Sequence, residues 1–369
     1  MQRRQLIQMM AATGAASMAY PLIAKPKAKT KPLNILFLGG TGFLGPHTVR
    51  YAMSQGHKVT LFNRGKTNPH LFPELEKIKG DRLTDDVKQL KGRRWDAVID
   101  TSAYYPRAVN NVMAAIKGNV GQYALISTIS VYKQWDKPGM DESAPVGTIE
   151  DETTEKVTGQ SYGPLKALCE QAAEAAMPGH VTNIRPGLIV GPGDKTDRFT
   201  YWPARVARGG QILAPGDGNS FIQFIDVRDL GRWIVYCLEK KVVGVYNAQS
   251  AARHHTMGGL LNTCVKVLNP KAQLVWVPND FLQQHEVQPW SEMPVWMPSV
   301  GDYAGAGTMS SAKAIANGLT ETPLKDTLLA TQKWFTGLPA ERQQKLRAGI
   351  KADKETKVIK AWLANKKAS

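Results

Sequence analysis

The chain has 369 residues, 43% hydrophobic and 21% charged, with a formal net charge of +16 at pH 7. That length suffices for one or two packed domains, and the composition is that of a folded globular chain rather than a disordered or collagenous one. Three cysteines, Cys169, Cys237 and Cys264, cannot form a complete disulfide framework and have no metal-type spacing, and no run reaches the ~18 apolar residues that a membrane-spanning helix needs.

Met1 to Ala24 has the layout of an export signal. Adjacent Arg3 and Arg4 precede Gln5, Leu6 and Ile7, and a mild apolar stretch follows from Met9 to Ile23. This is the pattern of a twin-arginine signal, which addresses folded proteins to the twin-arginine export machinery. The expected location is therefore periplasmic or exported, with a disordered cytoplasmic tail as the alternative. Cleavage would remove two arginines and no acid, taking the charge from +16 to +14. Residues 25–33, alternating Lys with Pro, Ala and Thr, read as a solvated linker.

Asn34 to Leu38 is a short apolar run with the signature of a buried parallel strand. It leads into Gly39, Gly42 and Gly45, after which Leu44 to Met53 reads as a helix. Strand, glycine turn and helix together form a phosphate cradle, because glycines allow close backbone approach and free N–H groups at a helix start favour an anion. Phe43 and Leu44 fall inside this turn. Lys58 to Phe62 is the second strand. Where a NAD-binding unit shows an acid for the ribose hydroxyls, this chain has Asn63-Arg64-Gly65-Lys66. Arg64 and Lys66 would attract a 2′-phosphate, so NADP is expected over NAD. The alternative is that Arg64 only stacks on adenine. A weak third strand at Lys77 to Lys79 ends near Asp81, a candidate adenine contact. Ala97 to Asp100 is the fourth strand, followed by Thr101, a further cofactor candidate, and by a helix over Arg107 to Ile116. Gln122 to Ser127 is the fifth strand. The alternation predicts an α/β, Rossmann-type doubly wound parallel sheet.

The fifth strand ends in Ser127-Thr128-Ile129-Ser130-Val131-Tyr132, and thirty residues on Ser161-Tyr162-Gly163-Pro164-Leu165-Lys166 opens a helix. Tyr162 and Lys166, four apart, share a helical face. A phenol is a poor base at neutral pH, and a neighbouring ammonium favours the phenolate. Thr128, with Ser127 as runner-up, is the hydroxyl placed to hold a substrate oxygen.

These stretches resemble the extended short-chain dehydrogenase/reductase family, and within it the NAD(P)-dependent epimerase/dehydratase branch. The likeness lies in GGTGFLG (39–45), STISVY (127–132), YGPLK (162–166), RPGLIVGPGD (185–194) and FIDVRDL (224–230), in that order. It implies Tyr162 as acid/base, Lys166 as its partner and as a cofactor contact, Thr128 as the substrate-binding hydroxyl, and the three glycines under a dinucleotide pyrophosphate. A subgroup described as isoflavone-reductase-like or chloroplast RNA-binding-like is similar too. The resemblance also implies a small second lobe of interspersed segments, and it admits a homodimer.

The division expected is a dinucleotide-binding domain over 34–186 and 223–248, a substrate lobe over 187–222 and 249–338, and a basic helical tail over 339–369. Val181 to Arg185 and Val245 to Asn247 read as strands, and Phe224 to Leu230 as a return to the sheet. Tyr132, Asp197, Arg198 and Trp296 are candidate substrate contacts, the last from a Trp- and Met-rich run among prolines that suits stacking on sugar rings. His254 and His255 are too isolated to suggest a metal, and none is expected. Ser310 to Asn317 and Leu324 to Phe335 read as closing helices. The tail carries nine Lys or Arg against three acids, a solvated basic face. Nucleic acid is not the expected partner. The function expected is redox-neutral epimerase-, isomerase- or dehydratase-like chemistry on a sugar or polyol through a transient ketone. The alternatives are NADPH-dependent ketone or enone reduction, and a non-catalytic RNA- or glycan-binding role.

Overall fold

A computed structural model describes residues 31–368. The segment expected to be an export signal and most of the expected linker lie outside the described residues. The sequence pattern that matters most is the unbroken apolar run, because a strand covered on both faces has no polar side to show. In β1 (Asn34–Leu38), Ile35 and Phe37 enter one core layer while Leu36 and Leu38 enter the layer on the opposite face. After α1 (Leu44–Ser54) come β2 (Lys58–Asn63), β3 (Glu76–Lys79), β4 (Trp95–Asp100), α2 (Pro106–Ile116), β5 (Val120–Ile126), α3 (Tyr162–Ala176) and β6 (Val181–Pro186). A two-residue β7 (Ile189–Val190) follows, then α4 (Tyr201–Arg208), β8 (Gln211–Pro215), β9 (Phe221–Ile222), β10 (Ile225–Asp226), α5 (Val227–Lys240) and β11 (Gly244–Ala248).

Seven strands form one parallel sheet in the order β11-β6-β5-β4-β1-β2-β3. α1 packs on α5 over one face and α2 on α3 over the other. This is the doubly wound fold expected, and the order reverses between β1 and β4. In such sheets the crevice beyond the strand ends at the reversal is where ligands bind.

Phe224 to Leu230 does not return to that sheet. Only Ile225 and Asp226 are extended, pairing with β7 outside it. The Asp226 carboxylate then accepts the Arg228 N–H at 2.8 Å and caps α5, so Val227 to Leu230 are already helical.

The second lobe has its own core. β12 (His255–Thr256), α6 (Met257–Leu268), β13 (Gln273–Val277), α7 (Asn279–Gln284), α8 (Ala312–Ala316), α9 (Leu324–Thr336), α10 (Ala340–Gln344) and α11 (Ala352–Ala368) complete the chain. β13 pairs in parallel with β8. Trp202, Leu213, Leu261, Met293 and Trp296 pack there with Ile350, Val358 and Ile359. The tail is therefore not simply a solvated basic face. Its apolar residues complete this core, and Glu355, 4% exposed, accepts from Arg205 Nε at 2.8 Å and from the Leu213 N–H at 3.1 Å. Among the described residues no helix is long and apolar enough to cross a membrane. All three cysteines are free and buried, and burial pushes the Cys169 thiol up to about 12.

Candidate active site

The turn after β1 is built by close packing. A Cβ at Gly45 would meet the Gly40 carbonyl carbon at 2.4 Å, so helix and turn touch backbone to backbone. Gly39 lies at φ +107° and Gly40 at +87°, values that side chains other than glycine's rarely adopt. A Cβ at Gly42, by contrast, would meet nothing within 4 Å. That face opens into a cleft of about 740 Å³ running across the strand ends. α1 has no side-chain cap, so its first amides keep their donors. Asn63, at the end of β2, fastens the turn, its Nδ2 donating to the Gly39 carbonyl at 2.7 Å.

Gly39, Gly42, Phe43, Leu44, Gly45, Asn63, Arg64, Lys66, Asp81 and Thr101 all line this cleft, as do Ser127, Thr128, Tyr162, Lys166 and Arg198. Arg64 is largely exposed and stands 3.9 Å from the Asp81 carboxylate, too far for a fixed pair. Lys66 is exposed beside it. Thr101 Oγ1 donates to the Leu38 carbonyl at 3.2 Å, tying the loop after β4 to the glycine turn. No acid stands at the end of β2, and two cations rim that part of the cleft.

Deeper in, Thr128 Oγ1 accepts the Ser130 N–H at 3.1 Å and caps a short 3-10 turn. Tyr162 and Thr128 line the same part of the cleft, the threonine side chain near enough to favour the ionised phenol. Gly163 lets α3 start this close: a Cβ there would lie 2.0 Å from the Ser130 carbonyl oxygen. Lys166 is buried, its Nζ donating to the carbonyls of Ile126 at 2.6 Å and Ala103 at 2.7 Å. The sequence reading has the ammonium lowering the phenol's pKa. In the structure burial raises the Tyr162 phenol, the neighbouring Thr128 side chain partly offsetting it, and burial lowers the Lys166 ammonium. The lysine is held by the carbonyl that ends β5 and by a loop carbonyl after β4, and so ties α3 to both strand ends. Ser127 Oγ is buried in the cleft wall without a partner.

Three substrate candidates lie elsewhere. Asp197 is fully buried and accepts two bonds from Arg342 and one from the Arg347 N–H, so it anchors the chain's last segment. Trp296 is buried in the second-lobe core, its indole N–H on Ser220 Oγ at 3.2 Å. Tyr132 is buried too, its hydroxyl donating to Asn247 Oδ1 at 2.7 Å and accepting from Arg185 at 3.0 Å. Trp290, six residues before Trp296, lines the cleft instead. A left-handed backbone at φ +62° accompanies that placement, and no periodicity signals it. The Arg198 guanidinium lies 5.6 Å above the Trp290 ring, with Nε on Thr196 Oγ1 at 3.1 Å. Thr196 in turn donates to buried Asp194, the last residue of the RPGLIVGPGD stretch. Arg82, also unassigned by the sequence, lines the cleft while pairing bidentately with buried Asp100 at 2.9 and 3.0 Å. Tyr123 donates to the same carboxylate.

A glycine turn with an open anion-binding face, a doubly wound sheet and a tyrosine–threonine pair at the strand ends define a dinucleotide-dependent enzyme of the short-chain type. Residues 35–248 match the model of the NAD dependent epimerase/dehydratase family, and the chain belongs to that family. By class it is an NAD(P)-dependent oxidoreductase or epimerase. It is 30% identical over 231 residues to a 2-alkyl-3-oxoalkanoate reductase of Stenotrophomonas maltophilia, spanning 55% of this chain and 65% of that protein. It is 26% identical over 273 residues to the chloroplast stem-loop binding protein of 41 kDa b of Arabidopsis thaliana, 67% of each. The crystal structure of the Bordetella bronchiseptica enzyme WbmH in complex with NAD+ superposes with a TM-score of 0.62 at 20% identity, covering 83% of this chain and 99% of that one, which shows the shared fold.

Proposed function

We propose that this chain catalyses redox-neutral epimerisation, isomerisation or dehydration of a sugar or related polyol through a transient ketone, with NADP as the favoured dinucleotide. The observation that carries the reading is that Tyr162 and Thr128 stand in the same cleft that the glycine turn opens. The residues present suit a dinucleotide: Gly42 leaves room for a pyrophosphate, the uncapped start of α1 offers N–H donors, and Arg64 with Lys66 offers charge to a 2′-phosphate. Once bound, the nicotinamide supplies a site that takes up and returns a hydride.

The chain's own residues do the rest. Tyr162 takes the hydroxyl proton from the reacting carbinol and later restores it. Thr128 holds the same oxygen, with the unpartnered Ser127 hydroxyl beside it. Lys166 keeps the loops after β4 and β5 in register under the phenol. Arg198, stacked on Trp290, offers guanidinium N–H groups to oxygens of the substrate. Trp290 and Trp135 supply apolar faces for a ring.

Redox neutrality follows from the proposed twin-arginine export. A protein exported folded carries one dinucleotide and stalls after a single net oxidation or reduction, whereas a reaction that returns the hydride to its own substrate does not. A second reading, NADPH-dependent ketone reduction, is favoured by the 30% identity to the Stenotrophomonas reductase. The deciding experiment is mass spectrometry of protein purified from its native compartment, followed by assays with candidate polyols. Bound dinucleotide and altered product at constant absorbance support the first reading, and absence of dinucleotide from the exported protein overturns it. Steady substrate-dependent loss of NADPH absorbance supports the second. Salt-sensitive RNA binding that survives Tyr162→Phe would replace both with a binding role.

A further inference from the structure

The sequence leaves His254 and His255 as an isolated pair, and folding corrects that reading. Glu321, between α8 and α9, comes to the same place, and one donor atom from each of the three residues lies within 4.8 Å of the others. The cluster is not part of the cleft lining described above.

Its spacing suits a shared ion as well as a direct ion pair. His255 Nε2 stands 3.4 Å from Glu321 Oε2, longer than a good charge-assisted hydrogen bond. Two donors each 2.0–2.1 Å from a tetrahedral ion are separated by about 3.4 Å. The supporting shell is also in place. Glu321 Oε1 accepts the Ala251 N–H at 2.6 Å, which fixes the carboxylate and leaves Oε2 toward the histidine. The His255 ring is stacked on Phe224 at 4.8 Å and 12°, and its backbone is paired through β12 with β9. The His254 ring stands edge-on to it at 4.4 Å, and the His254 N–H donates to the Ala251 carbonyl at 3.1 Å. His254 is exposed, so its ring has room to close from within 4.8 Å to the separation that an ion requires, and the fourth position is open to water. Orienting contacts of this kind are what separate a ligand set from a chance cluster.

We propose that His254, His255 and Glu321 form a binding site for one borderline divalent transition-metal ion, Zn²⁺ in the first instance. Two imidazoles and one carboxylate suit zinc, nickel or copper and not the hard, oxygen-seeking calcium or magnesium. The bound ion would clip the segment before α6 to the segment before α9. It is a staple within the lobe rather than a participant in the cleft's chemistry.

The test uses the full-length, untagged chain, stripped with chelator and titrated with ZnCl₂ by calorimetry. The expected result is one saturable ion per chain, a rise in melting temperature, and at least about tenfold weaker binding in His254→Ala and in Glu321→Gln. Glutamine keeps an oxygen for the Ala251 N–H, and His254 is exposed with a single edge-on ring contact to His255, so both variants should melt close to the metal-free wild type. Co²⁺ in place of Zn²⁺ should give visible absorption of a four-coordinate site that both variants lose. No binding tighter than about 1 mM, or binding unchanged in both folded variants, overturns the proposal.

Discussion

Arg342 closes on Asp197 from 145 residues further along the chain, its Nη2 donating to both carboxylate oxygens at 2.7 and 2.8 Å. The carboxylate, fully buried, also accepts the Arg347 N–H at 2.8 Å. This clamp joins the segment before α4 to α10 and the turn that precedes α11. Removing one partner of a buried pair strands the other. Asp197→Ala is expected to lose about 3 kcal/mol of stability, read as a lower urea midpoint. Truncation after Leu338 should give insoluble protein, because Ile350, Val358 and Ile359 leave the second-lobe core. A soluble truncated chain with an unchanged midpoint would refute the clamp.

Burial raises the Tyr162 phenol above its ordinary value, so the group is protonated through the neutral range. The sign follows directly. A step that needs Tyr162 as a donor is unaffected by pH there, while a step that needs the phenolate speeds up about tenfold per pH unit until the phenol titrates. Tyr162→Phe should cost about 10²- to 10⁴-fold in turnover and abolish that slope. Dinucleotide affinity, measured by fluorescence, should stay the same.

The two helix-side glycines of the turn do different work, and their alanine variants separate it. Gly42→Ala meets no protein atom and should melt like the wild type while binding dinucleotide more weakly. Gly45→Ala drives a Cβ into the Gly40 backbone and should lose about 1–3 kcal/mol before any ligand is considered. Equal melting temperatures for the two variants would contradict this packing.

Arg64 is exposed at the rim, and its only salt-bridge partner among the described residues is Asp81 at 3.9 Å. Its replacement by serine should therefore not disturb the fold. If it meets a 2′-phosphate, Arg64→Ser lowers NADP affinity about tenfold and leaves NAD affinity unchanged. Parallel titrations with the two dinucleotides check this, and equal losses for both would assign Arg64 to stacking instead.

The sequence by itself determined the strands of the parallel sheet, the glycine turn and the Tyr162–Lys166 spacing. Each of these is written within a short stretch: an apolar run buried on both faces, three glycines before a helix, two residues one helical turn apart. Tertiary structure alone decided which neighbouring side chains reach the cleft. Arg198 enters it while the adjacent Asp197 is buried under Arg342, and Trp290 enters it while Trp296 fills the core. It alone also brought Glu321 to His254 and His255 and gave the basic tail a core to complete. The physical reason is that the second lobe is assembled from segments far apart in the chain. Local periodicity tells which face of an element is apolar, and it carries no record of the distant segment that will cover it.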